Sequence, residues 1–254
     1  VGRVRGGLAQ VNIVSSMLFA GVTGVALGDI ASQGRMFIYA MGRQGYDRPF
    51  SAAITAASSL MGAIIPPSTI IIVYCAVTNV SVGAMFANAI LPGILMTVVQ
   101  MVQVQWLSWR KQYPKVDVEV TPRKLLLGFR DAFFAIIMPV IMIRGIILGW
   151  FTPTEAAAAC VVYSLVIGFV FMRTLKLGDL GPILSTATMD TARLFFIIAG
   201  ASAMSWVFAM ENLPMVVKTM LAGVSHDKLT VVLIINLFFL FCGMWLDASI
   251  AIIL

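Results

Sequence analysis

The chain has 254 residues, 60% of them hydrophobic and 11% charged, with a mean hydropathy of +0.99. A soluble domain carries about 25% charged residues, so a water-soluble globule is excluded and an all-α polytopic membrane protein in a lipid bilayer is indicated. The formal charge of +6 falls in short loops between apolar segments, as the positive-inside rule expects, which speaks against nucleic acid as a partner.

Apolar segments run at about 7–28, 51–76, 84–107, 132–151, 155–172, 183–210 and 229–254, against the roughly 20 residues that a spanning helix needs. The first is flanked by Arg3 and Arg5 before it and by Arg35, Arg43 and Arg48 after it. Both flanks read as cytoplasmic, so residues 7–34 are expected to enter the membrane and return. Gly21 and Gly24 mark a re-entrant tip at about 20–26. One ordinary span with an unusual charge outside is the other reading. Asp29 follows the tip in apolar surroundings, where an isolated carboxylate costs about 2.5–3.5 kcal/mol. It is expected either to hold a cation or to cap the returning helix.

The second segment carries its own interruption. In Ser58-Ser59-Leu60-Met61-Gly62-Ala63-Ile64-Ile65-Pro66-Pro67-Ser68-Thr69 neither proline has an N–H, and Pro67 disfavours the helical region for Pro66. The helix is expected to unwind near Ile65 and resume at about Ile70. Inside a bilayer the freed carbonyls must line a cavity or bind something. The hydroxyls of Ser58, Ser59, Ser68 and Thr69 suit a cation or a polar solute.

Further along, residues 108–131 form a basic cytoplasmic loop with Arg110, Lys111, Lys115, Arg123, Lys124 and Arg130. Arg144 lies mid-span, where snorkelling and a contact to another subunit are both open. Thr152-Pro153-Thr154-Glu155 reads as a helix start with a capping box, a solute contact being the alternative. Asp190 and Arg193 stand at i,i+3 spacing as an ion pair. The last segment reaches Gly243 and Asp247, a second glycine turn with a following aspartate. Two hairpins entering from opposite faces would mark an inverted-repeat transporter. Because the chain stops in an apolar run, it reads as a fragment of something longer. Cys75, Cys160 and Cys242 show no metal-ligand or disulfide spacing, and the lone His226 sits in a polar loop, so no transition-metal site, cofactor or enzyme active site is expected.

Gly6-Gly7-Leu8-Ala9-Gln10-Val11-Asn12, Phe19-Ala20-Gly21, the Ile64-Ile65-Pro66-Pro67-Ser68 block, Leu91-Pro92-Gly93 and Thr152-Pro153-Thr154-Glu155-Ala156-Ala157, in this order, resemble the large membrane (DctM-type) subunit of tripartite ATP-independent periplasmic (TRAP) transporters. The resemblance runs through essentially all of the chain. It implies an elevator-type transporter with inverted repeats, re-entrant hairpins and broken helices, taking up an organic acid such as a C4-dicarboxylate or a sialic or sugar acid with Na⁺ as coupling ion. It also implies a small membrane subunit, a periplasmic solute-binding protein and a bacterial inner-membrane location. The tip departs from the family pattern, because Val25 stands where a hydroxyl is usual.

On this reading the organisation is a first-repeat transport region at 1–107, the basic loop, spans and a connecting arm at 132–228, and the start of a second hairpin at 229–254. One Na⁺ is expected between tip and break, with Thr23, Asp29, Ser58, Ser59, Gly62, Ile65, Pro66 and Ser68 around it. Gly21, Thr23, Gly24, Ser68, Thr69, Gly243 and Asp247 would face the substrate. The rival is a proton-coupled organic-anion carrier without a binding protein, in which Asp29 and Asp247 carry protons.

Overall fold

A computed structural model describes residues 4–113, 122–224 and 227–246, with backbone alone at 122–127, 129–132 and 135. Asp247 and His226 lie outside the described residues. All regular elements among the described residues are helical, and four helices are long and apolar enough to cross a membrane: Arg48–Thr78, Val82–Arg110, Pro153–Phe171 and Leu177–Met210. The packing divides the chain into two units, residues 1–173 and 174–254.

In the first unit, α1 (Gly7–Thr23) ends where Gly24 takes the left-handed conformation, φ 63°, and its N–H bonds to Ala20 O. Only glycine adopts that φ freely. The chain returns through α2 (Ala26–Asp29), a π-helical turn at Ile30–Gly34 and α3 (Arg35–Arg43). Ser15 Oγ donates to Gln33 Oε1 at 2.7 Å, which pairs the two arms symmetrically about Gly24. The hairpin expected over 7–34 therefore exists, but its return arm runs on to Arg43. Asp29 does not cap that arm. Val25 holds the N-cap position, and Asp29 lies inside the helix with its N–H bonded to Val25 O, because the turn closes one helical turn earlier than the acid.

The next helix is interrupted as its sequence requires. It runs through α4 (Arg48–Ser59) and the short α5 (Met61–Ile64), turns extended at Ile65, and resumes as α6 (Thr69–Thr78). Then α7 (Val82–Arg110) packs along the hairpin. Ala9, Ile13, Met41, Tyr46, Val104 and Tyr113 form the core between them.

Polar side chains fasten these helices, because a polar group in an apolar helix gains by pairing with another helix, although Gln10 Oε1, Asn12 Oδ1 and Gln100 Oε1 are buried without a partner. Asn12 Nδ2 donates to Thr55 Oγ1 at 2.8 Å, and the Ser16 and Ser58 hydroxyls meet at 3.0 Å. Gln10 Nε2 reaches Met101 O at 2.8 Å, and Gln100 Nε2 reaches Ala57 O at 3.0 Å.

Beyond α7, α8 (Pro122–Ile147) begins ten residues before the apolar segment at 132, so only part of the expected loop 108–131 is free of helix. A proline is well suited to the first position of a helix, where its missing N–H is not needed. α9 (Pro153–Val166) continues into a π-helical turn at Ile167–Phe171. Its start is the capping box: Thr152 Oγ1 accepts from Glu155 N at 3.3 Å, and Thr152 N donates to Glu155 Oε2 at 2.8 Å. Thr152→Ala is expected to cost about 1 kcal/mol, read as a lowered melting temperature. Arg144 is exposed on α8.

In the second unit a short 3₁₀ turn (Leu177–Asp179) leads into α10 (Leu180–Met210), followed by α11 (Leu213–Val224) and α12 (Lys228–Cys242). Asp190 and Arg193 make the expected ion pair at 3.1 Å. Gly243 caps α12 with φ −66°, a conformation open to any residue, and a turn runs to Leu246.

Candidate functional site

Two irregular backbone segments meet in the first unit: the hairpin tip at 24–26 and the break at 65–68. Thr69 N donates to Gly24 O at 3.1 Å. A Cβ on Gly24 would lie 2.8 Å from Pro67 O, and one on Gly62 would lie 3.0 Å from Val25 C and 3.1 Å from Val25 O. Real Cβ atoms essentially never approach as closely as the 2.8 Å at Gly24 and seldom as closely as the 3.0 Å at Gly62, so bare backbone at both positions lets the two segments touch.

The break is built by its own side chains. Ile65 is extended at φ −75°, ψ 127°, the Pro66–Pro67 peptide is cis, and Ser68 is extended at φ −117°, ψ 127° as N-cap of α6. Ser68 Oγ donates to Ala63 O at 2.6 Å and accepts from Ile71 N at 3.4 Å, so one hydroxyl ties both sides of the gap together. Ile65 is wedged onto α7, where a Cβ on Gly93 would come within 2.4 Å of Ile65 Cγ1. Gly21 sits in α1, and a Cβ there would be 2.9 Å from Pro139 Cβ of α8. It therefore permits a helix approach rather than turning the chain.

The carbonyls are the chemically open groups. Pro66 and Pro67 are buried, and neither carbonyl accepts a hydrogen bond among the described residues. A buried carbonyl without a donor costs free energy comparable to a lost hydrogen bond. Pro67 O lies against Gly24, and Pro66 O lies 3.9 Å from where a Cβ on Gly21 would be. Both are thus on the tip side of the break, where an oxygen-seeking cation would satisfy them.

The remaining expected residues are placed as follows in the two units. Ser68, Thr69, Gly62, Ile65, Pro66 and Gly24 are brought together at the tip–break contact. Ser58 and Ser59 are buried at the end of α4; Ser58 is held by Ser16, and Ser59 Oγ donates to Ala56 O at 2.8 Å. Thr23 bonds back to Phe19 O at 3.3 Å. Asp29, 1% exposed, accepts from Gln33 Nε2, and Gln33 in turn accepts from Ser15. The acid is thus held from behind by a chain of hydrogen bonds that leaves it further accepting capacity. Gly243 is exposed in the second unit, whereas Thr152, Pro153, Thr154 and Glu155 make the start of α9.

Sequence reasoning missed Ser15, Ser16, Gln33 and Thr55, which position this site. The signal was present as polar residues one turn apart within apolar helices: Asn12 with Ser16, and Ser51 with Thr55.

The model of the family "Tripartite ATP-independent periplasmic transporter, DctM component" matches residues 1–254. The chain is 35% identical over 248 residues to the sialic acid TRAP transporter large permease protein SiaM of Vibrio cholerae, covering 98% of this chain and 58% of that protein. It is 34% identical over 248 residues to the sialic acid TRAP transporter permease protein SiaT of Haemophilus influenzae, covering 98% and 40%. It is 32% identical over 249 residues to the C4-dicarboxylate TRAP transporter large permease protein DctM of Pseudomonas aeruginosa, covering 98% and 58%. The chain therefore spans less than two thirds of the length of these relatives.

Proposed function

The chain belongs to the DctM component family of tripartite ATP-independent periplasmic transporters, and from that premise we propose that it carries a Na⁺ site of an organic-acid uptake system between Gly24 and the Pro66–Pro67 break. The observation that carries this reading is the pair of buried proline carbonyls without donors on the tip side of the break. Hard cations take oxygen ligands of this kind. The hydroxyl oxygens of Ser59, Ser68 and Thr69 and the Asp29 carboxylate are the further candidates nearby in the chain.

Na⁺ there would join tip to break, so that the two segments move as one body past the rest of the transporter in an elevator-type cycle. The substrate would be a small carboxylate such as a sialic acid or a C4-dicarboxylate, in line with the names of the relatives. It would be delivered by a periplasmic binding protein with a small membrane subunit as partner, in a bacterial inner membrane. The test is uptake by the complete transporter in proteoliposomes under imposed Na⁺ and pH gradients. Uptake is expected to require Na⁺, with Ser59→Ala raising the Na⁺ concentration for half-maximal rate about three- to tenfold, as for one lost polar ligand. Uptake driven by pH alone would overturn the reading in favour of the proton-coupled carrier.

A further inference from the structure

The end of the hairpin away from its tip carries a recess of about 650 Å³. Arg35, Ile38, Tyr39 and Arg43 line it from the return arm, and Tyr46 and Arg48 line it from the connection to α4 and its first residue. All three arginines are exposed, whereas Tyr46 is buried and stacks on Tyr113 with ring centroids 4.6 Å apart. The floor is therefore rigid and the rim is cationic.

Among the described residues no acid lines this recess. Asp47, the acid next in the chain to Arg48, is committed elsewhere: it accepts from Lys111 Nζ at 2.6 Å and from Tyr113 Oη at 2.9 Å. Those two hydrogen bonds, the Lys111 one first, hold its carboxyl below the usual carboxylate range. Asp47 stands at the start of α4 but makes no side-chain cap bond there. Among the described residues, none of the three arginines makes an ion pair or a side-chain hydrogen bond. Arg43 instead rests over the Tyr39 ring at 5.9 Å.

Three guanidinium groups around one recess suit an oxyanion that accepts several planar N–H donors, which phosphate does. The adjoining surface shows which phosphate. On the same arm Met36 is 59% and Tyr39 68% exposed, so the cationic recess continues directly into an apolar face. A molecule with a phosphate at one end and acyl chains at the other matches both parts. We propose that this recess binds the phosphate of an anionic phospholipid headgroup.

The test uses the complete detergent-solubilised transporter. Thermal stability and retained lipid are measured with added phosphatidylglycerol, phosphatidylcholine or inorganic phosphate. Phosphatidylglycerol is expected to raise the melting temperature and to be retained, with phosphatidylcholine doing neither. Each arginine should be worth about fivefold in apparent affinity, and the three together about a hundredfold. The variant Arg35→Gln/Arg43→Gln/Arg48→Gln should therefore lose retention; should it fail to fold, Arg43→Gln alone should bind about fivefold more weakly. Wild-type retention in the variant that folds would overturn the proposal. So would stabilisation by inorganic phosphate with none from phosphatidylglycerol, which would assign the arginines to a soluble anion.

Discussion

On the proposed Na⁺ site, replacing Gly24 by alanine is expected to reduce uptake by the complete transporter by more than about tenfold while leaving the chain inserted in the membrane. Two effects act on the same atom. The left-handed φ of 63° costs an L side chain about 1–2 kcal/mol, and the new methyl would lie 2.8 Å from Pro67 O, so the tip must lift off the break. A loss of about 1.4 kcal/mol in the closed tip is already tenfold in its population. Gly45 separates the two effects, since it has φ 84° but nothing within 4 Å of its would-be Cβ. Gly45→Ala carries the backbone strain alone and is expected to lower the melting temperature with little change in uptake. Equal losses in both variants would remove the tip–break contact from the mechanism. Gly62→Ala approaches the same contact from the other side, 3.0 Å from Val25 C and without a left-handed φ, and should lower uptake less than Gly24→Ala.

Asp29 offers the second large effect, and its two substitutions should part company. Asparagine keeps the size of the side chain and an oxygen to accept from Gln33 Nε2, so Asp29→Asn is expected to fold with near wild-type stability. It removes the charge, however. In the proposed ion site, a carboxylate contact to the charged ion is worth about 1.5–3 kcal/mol. The Na⁺ concentration for half-maximal uptake should therefore rise by more than about tenfold. Asp29→Ala also strips Gln33 of its acceptor in a buried position and should cost about 1–3 kcal/mol of stability in addition. Sodium dependence unchanged in Asp29→Asn would take this carboxylate out of the ion site. Loss of a pH-driven component in the same variant would instead make it the proton carrier of the rival mechanism.

Much of this site was legible before any coordinates. The Pro66–Pro67 break had to occur where it does, because two residues without N–H groups cannot continue a helix. Gly24 lies inside the tip expected from the glycines, and Thr152 with Glu155 forms the capping box that their spacing demands. Of the two roles open to Asp29, cation ligand or helix cap, the structure removed the cap. A carboxylate after a turn suits a cap, yet the turn closed at Val25 and left the acid one helical turn inside, where Gln33 Nε2 donates to its carboxylate and Ser32 Oγ to its backbone carbonyl. The return arm likewise ran on to Arg43, since α3 carries its own apolar face and buries Phe37 and Met41.

The sequence by itself determined that this is an all-helical membrane protein with an interrupted span, because composition, charge distribution and proline chemistry act locally or in bulk. Only the tertiary structure decided that the break closes against the hairpin tip, that Ser58 is spent on Ser16, and that the Pro66 and Pro67 carbonyls stay without donors. Those facts depend on which backbones approach within about 3 Å, a distance set by packing glycine against carbonyl across residues some forty positions apart.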